Sequence, residues 1–275
     1  MERNYWRSKV IDTELFTVLS FNIPGNGYGN PETNLIENYQ DFTVRDIARL
    51  FWEGLHFLDV TDIYSLIGVS LGGTIAWEMA ALQPDKIEHL IPIATHWKAT
   101  DWVIANVLIQ DQILNNSNNP IVDARMHATL LYHSPEYISQ LYKGEKLDND
   151  FSFKIEEWLS DKGSQLKNRY QLTAYKFMNH LLKTNDVTRN RKDITAIARD
   201  IESNIHLVSV DTDYLFTTEE CFKTFQKIRN VKQNIYYNLI ESTYGHDAFL
   251  IDFEAIAKIL SPILSNQKKE NYAYS

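Results

Sequence analysis

At 275 residues with 44% hydrophobic side chains, the chain can bury a sizeable α/β core with room for an inserted subdomain, and a disordered chain is excluded. A formal net charge of -9 argues against nucleic acid or an anionic membrane as partner, although one basic pocket for an anionic cofactor remains allowed. The single cysteine, Cys221, cannot close an internal disulfide and reads as a packing residue. With no signal-peptide pattern and no run of ~18 apolar residues, a cytoplasmic location is expected.

Apolar runs then alternate with helical spacing, the pattern of a mainly parallel sheet with helices on both faces. Leu15 to Phe21 (LFTVLSF) reads as the first strand, and Ile23 to Gly29 as a loop. Residues 42–57 place Val44, Ile47, Ala48, Phe51 and Leu55 at helical spacing, with Asp41 as the expected cap. A strand at Ile63 to Ile67 and a helix at Thr74 to Leu82 follow, the helix closed by Gln83-Pro84-Asp85 before a strand at Ile87 to Ala94. From about Thr100 to about Arg199 no strand pattern appears, which marks an inserted helical subdomain with joints at Asn115 to Pro120 and near Gly144. Strands return at Ile205 to Val210 and Asn234 to Leu239, with a helix at Glu219 to Ile228 between them and a last helix from Phe249 to Leu264. The expected division is core at 1–99, helical lid at 100–199, core again at 200–265, and a loose polar tail at 266–275.

The stretch Ser65 to Gly73 (SLIGVSLGG) joins a strand to a helix through a glycine-flanked serine. Side chains at Gly68 and Gly72 are expected to collide with the adjoining strand and helix, and the cramped turn presents the Ser70 hydroxyl as a nucleophile. The N–H of Leu71 and the positive end of the helix would face the oxyanion formed on attack at a carbonyl. The bland alternative is a turn in which Ser70 only caps the helix. Two later loops follow strands: Asp211-Thr212-Asp213, and Gly245-His246-Asp247. Catalytic groups gather at the carboxyl ends of parallel strands, and the order serine, acid, histidine matches a nucleophile, an orienting aspartate and a general base at His246. Either Asp211 or Asp213 could be the acid on this pattern alone. No metal site is expected, since the eight histidines lack H-x-x-x-H spacing and a paired cysteine.

These motifs resemble the homoserine O-acyltransferases of the α/β-hydrolase superfamily. The resemblance rests on GVSLGG at Gly68 to Gly73, Asp213-Tyr214-Leu215-Phe216, GHDAFL from Gly245 to Leu250, and Ala124-Arg125-Met126 in the insert. Trp6, Ile11-Asp12-Thr13, the segment Phe21 to Gly29 and Asp41 to Asp46 extend it over nearly the entire chain. It implies an α/β-hydrolase fold and a ping-pong reaction in which Ser70 takes an acetyl or succinyl group from acyl-CoA, a co-substrate, and passes it to homoserine in methionine biosynthesis. It also implies Asp213 as the acid, Arg125 as partner of the homoserine carboxylate, Asp247 as partner of its ammonium group, and a homodimer formed through the insert, where Tyr132, Tyr137, Tyr142 and Trp158 look exposed. A serine esterase of the same fold, or an inactive homologue, is the alternative. Members of the family carry N-terminal strands and a loop giving a second oxyanion N–H, which are not found before Trp6. The expectation is therefore a start further upstream or a degenerate copy, with a gap or re-pairing in the sheet between Leu15–Phe21 and Ile63–Ile67.

Overall fold

Parallel strands cannot be joined by a tight turn, so each neighbouring pair needs a crossover, which a helix supplies. A computed structural model describes residues 10–29, 34–147 and 151–271, and shows one sheet of this kind. Its strands are β1 (Ile63–Val69), β2 (Ile87–Ile93), β3 (Asn204–Val210) and β4 (Ile235–Ile240), in that spatial order and all parallel. Helix α1 (Val44–Phe57) precedes β1, and α2 (Leu71–Leu82) links β1 to β2. Between β2 and β3 run α3 (Asp101–Asn116), α4 (Pro120–Tyr132), α5 (Pro135–Tyr142), α6 (Lys154–Lys167), α7 (Leu172–Thr184) and α8 (Ile194–Asp200). Helix α9 (Thr218–Arg229) links β3 to β4, and α10 (Ala248–Ile251) and α11 (Phe253–Asn271) close the chain.

The sheet buries both faces, as parallel sheets do. Leu90, Ile205, Leu207 and Ile235 pack with Ile47 and Trp52 of α1, Trp77 of α2, Ile197 of α8 and Ile228 of α9. On the other side Ile91, Ile93, Val208, Val210 and Ile240 pack with Leu260, Ile263 and Leu264 of α11. None of the described helices is long and apolar enough to cross a membrane.

Four expectations are corrected. Leu15–Phe21 forms no strand: among the described residues β1 pairs with β2 alone, and a strand exists only where a neighbour takes its backbone bonds. Leu15, Val18 and Leu19 stay about half exposed, while Phe16 stacks on Tyr64 and Phe21 on Phe51, each at 5.2 Å. Helix α1 is capped by Thr43 rather than Asp41, because Asp46 reaches back to accept from the Thr43 N–H at 2.9 Å and hydroxyl at 2.7 Å; Asp41 ends a separate short turn. The last helix breaks at Asp252 and runs on to Asn271, through much of the stretch expected to be a loose tail. Gly72 has open space where a Cβ would stand, and the crowding expected there belongs to Gly73. Trp6 and the last four tail residues lie outside the described residues.

A buried ion cluster fastens the segment after the insert to the helix that carries the nucleophile. Glu78 of α2, 2% exposed, accepts from Arg45 of α1 at 3.1 and 3.3 Å and from Arg191 at 2.6 Å, and both guanidinium groups also donate to the Val187 carbonyl. Such a cluster contributes little relative to apolar packing, but removing one member strands the others. Glu78→Ala is expected to cost about 3–5 kcal/mol in urea unfolding; a loss under about 1 kcal/mol would mean that the two arginines find solvent.

Candidate active site

The sharp turn after β1 sets the nucleophile. Ser70 has φ 52° and ψ -123°, in the left-handed region that a side chain adopts only under constraint, and α2 begins at the next residue. The constraint is close packing between strand and helix. A Cβ on Gly68 would lie 2.3 Å from the Gly72 carbonyl oxygen, and one on Gly73 would lie 2.3 Å from Thr95 Cγ2. The strand holds the turn through the Ser70 N–H, which donates to the Ile93 carbonyl at 2.9 Å. Leu71 stands at the first position of α2, where a helix leaves its N–H groups without an intrahelical acceptor and aims its positive end outward.

The other two groups arrive on the loops after β3 and β4. His246 lies in a short turn at Gly245–Asp247, with Nε2 2.9 Å from Ser70 Oγ and Nδ1 2.7 Å from Asp213 Oδ2. Asp213 is fixed by its second oxygen, which accepts from the N–H groups of Leu215 at 2.7 Å and Phe216 at 2.9 Å. Asp211 makes no part of this relay. Its carboxylate accepts from the Ser242 N–H at 3.0 Å, and Thr212 donates to the Ser242 carbonyl while accepting from Gly245 N–H at 3.1 Å. The two residues before the acid thus tie the histidine loop to the sheet.

His246 is buried among the rings of Tyr132, Phe216 and Phe249, with centroids 5.3–5.7 Å away. Burial by itself would lower its proton affinity; the Asp213 carboxylate, through charge and hydrogen bond, and the charge of Asp247 reverse this and raise the pKa above the usual histidine value. The arrangement can take a proton from Ser70, hold it as imidazolium beside Asp213, and return it to a leaving group.

The insert covers this site with α4. The Arg125 guanidinium lies 5.0 Å over the Tyr132 ring, and it forms no ion pair among the described residues. Arg125 and Asp247 both act by charge on the buried Tyr132 hydroxyl, whose pKa is raised chiefly by burial. Asp247 stands at the start of α10 without capping it by a side-chain hydrogen bond, and its carboxylate faces His133 at 3.8 Å. Tyr137, Tyr142 and Trp158 pack with one another and with His133 at centroid distances of 5.3–5.8 Å, all partly buried, as aromatics at helical spacing commonly do. Nothing in the sequence pattern marks His133. Phe216 and Phe249, which wall the histidine, sit inside the two motifs already noted, so their place in the motif was their only signal.

Known proteins share this fold. A family model described as "alpha/beta hydrolase fold" matches residues 2–181. A homoserine O-acetyltransferase of Cyclobacterium marinum is 30% identical over 92% of this chain and 76% of its own length. The solved structure of homoserine O-acetyltransferase from Staphylococcus aureus superposes with a TM-score of 0.72 at 22% identity, covering 89% of this chain and 72% of that one. An esterase, E22, shares the fold at a TM-score of 0.73 and 15% identity, over 93% of this chain and 76% of its own.

The sign of the His246 shift fixes the pH profile. Only the unprotonated imidazole accepts the serine proton, so a raised pKa moves the acid limb of kcat/KM above about 6.5. With an activated acetyl ester as substrate, Asp213→Asn is expected to lower kcat by about 10⁴. A wild-type limb below pH 6.5, or a loss under tenfold, would contradict the assignment of Asp213.

Proposed function

The chain belongs to the homoserine O-acetyltransferase family of the α/β hydrolase fold, and from that premise we propose that it moves an acetyl group from acetyl-CoA to the hydroxyl of L-homoserine. Ser70 gives its proton to His246 and attacks the thioester carbonyl, while the Leu71 N–H receives the oxyanion. His246 protonates the departing CoA sulfur, leaving acetyl-Ser70. The homoserine hydroxyl then gives its proton to His246, attacks the ester, and leaves as O-acetylhomoserine when the proton returns to Ser70. In this reading acyl-CoA is a co-substrate, and the enzyme works in the cytoplasm, in methionine biosynthesis.

One observation carries the choice of acceptor. Arg125 and Asp247 stand near the same partly buried tyrosine beside the triad, one a cation without an anionic partner among the described residues and the other a carboxylate that makes no side-chain cap. A forked guanidinium suits the carboxylate of an amino acid, and a nearby carboxylate suits its ammonium group. A serine esterase would use the same triad but has no need of this clamp.

Thiol release from acetyl-CoA by the purified chain tests the reading. Beyond a first equivalent per chain, steady release is expected to require homoserine, to fall at least 10³-fold in Ser70→Ala, and to need about 10²-fold more homoserine in Arg125→Leu. Repeated turnover without homoserine, beyond one thiol per chain, would establish an esterase, and no release at all would remove catalysis from this chain.

The reading extends to a homodimer through the insert. Helix α3 turns Trp102, Leu108 and Ile109 outward, each about half exposed, which is costly apolar surface for a helix to leave in water. Sedimentation is expected to give twice the 32.0 kDa chain mass and to give the single-chain mass for Leu108→Glu; a wild-type monomer would remove the dimer.

A further inference from the structure

We propose that His133 is a positioning residue that holds the Asp247 carboxylate toward the ammonium group of the amino-acid acceptor, an inference that rests on the proposed transfer to homoserine. The three residues leading from α4 into α5 each meet a different part of the histidine loop. Tyr132 lays its ring on His246, His133 sets Nε2 3.8 Å from Asp247 Oδ2, and Ser134 donates its hydroxyl to the Thr243 carbonyl. Gly245 marks how close the approach is: a Cβ there, at φ 77°, would lie 2.7 Å from the Ser134 nitrogen and 2.9 Å from the Tyr132 carbonyl oxygen.

The chemistry around His133 suits a neutral donor. Its ring is buried and rests against Tyr137 at 5.3 Å and Trp158 at 5.5 Å. Burial lowers its pKa, the Asp247 charge and the Tyr244 carbonyl oppose this, and Lys162 and Arg125 act with burial. The shift favours the neutral ring, and at 3.8 Å its Nε2 meets the Asp247 carboxylate as a polar contact longer than a hydrogen bond. Among the described residues His133 is the basic group within ion-pair distance of Asp247, whose side chain is only 18% exposed. A lysine or arginine in that place would neutralise the carboxylate and compete with the incoming ammonium group. A neutral imidazole orients the carboxylate and leaves its charge for the acceptor.

The test separates acceptor binding from acylation. Phenylalanine at this site keeps the packing on Tyr137 and Trp158 without the N–H, and glutamine keeps a donor. In the full chain His133→Phe is expected to raise KM for homoserine about tenfold, the size of taking a polar neighbour from a largely buried carboxylate, and to disturb the acetyl-enzyme burst from acetyl-CoA far less than that. His133→Gln is expected to bring KM back to within about threefold of wild type. A KM within twofold of wild type in His133→Phe overturns the proposal. So does a parallel loss of burst and KM in both variants, which would mark His133 as structural alone. A wild-type burst followed by turnover that ignores homoserine overturns the acceptor reading itself, and the positioning role falls with it.

Discussion

The hydrogen bond from Ser70 to His246 joins residues 176 positions apart, and the rest of the structure serves to bring them within 2.9 Å. The serine follows β1 and the histidine follows β4, at opposite edges of the four-stranded sheet. With strands about 4.8 Å apart, the two strand ends are separated by roughly 14 Å, so the histidine loop has to run back along the carboxyl edge. Asp211, Thr212 and Asp213, which follow β3, lie on that route and fasten the loop at Ser242, Gly245 and His246 in turn. Parallel register makes this possible, because it puts all the relevant strand ends on one side.

Two further attachments hold the site from outside the sheet. Below the elbow, Glu78 secures α2 to α1 and to the segment that returns from the insert, so the nucleophile's helix cannot shift without exposing a buried charge. Above it, the Tyr132–Ser134 segment of the insert lies directly on the histidine loop. The insert is thus part of the site. It supplies Arg125, walls His246 with Tyr132, and meets Asp247 through His133, so both groups of the proposed amino-acid clamp depend on it.

The strain at Ser70 illustrates how such a site is maintained. A non-glycine residue at φ 52° costs about 1–3 kcal/mol and persists only when its surroundings leave no alternative. Here Gly68 and Gly73 permit the close strand–helix approach that imposes it, and the Ile93 carbonyl fixes the serine N–H. The hydroxyl is presented by backbone geometry, ahead of any substrate.

Local chemistry made much of this legible in the amino-acid sequence. The parallel alternation of strands and helices, the elbow around Ser70, the helical insert and the turns carrying Asp213 and His246 all depend on short-range periodicity, glycine placement and turn residues, which a single chain displays directly. The non-local decisions were not available there. LFTVLSF has the composition of a strand, yet a strand needs a neighbour, and β1 offers Leu15–Phe21 no ladder. Spacing left Asp211 and Asp213 equivalent until the fold put one 2.7 Å from His246 and the other on Ser242. Likewise Gly73 rather than Gly72 carries the crowding because Thr95, from a different loop, stands against it. His133 and Asp247 are 114 positions apart, and only the packing of the insert on the sheet makes them neighbours. The sequence determined most of the local elements; the tertiary structure decided whether LFTVLSF could be a strand and which residues meet, because both depend on register and packing between segments far apart in the chain.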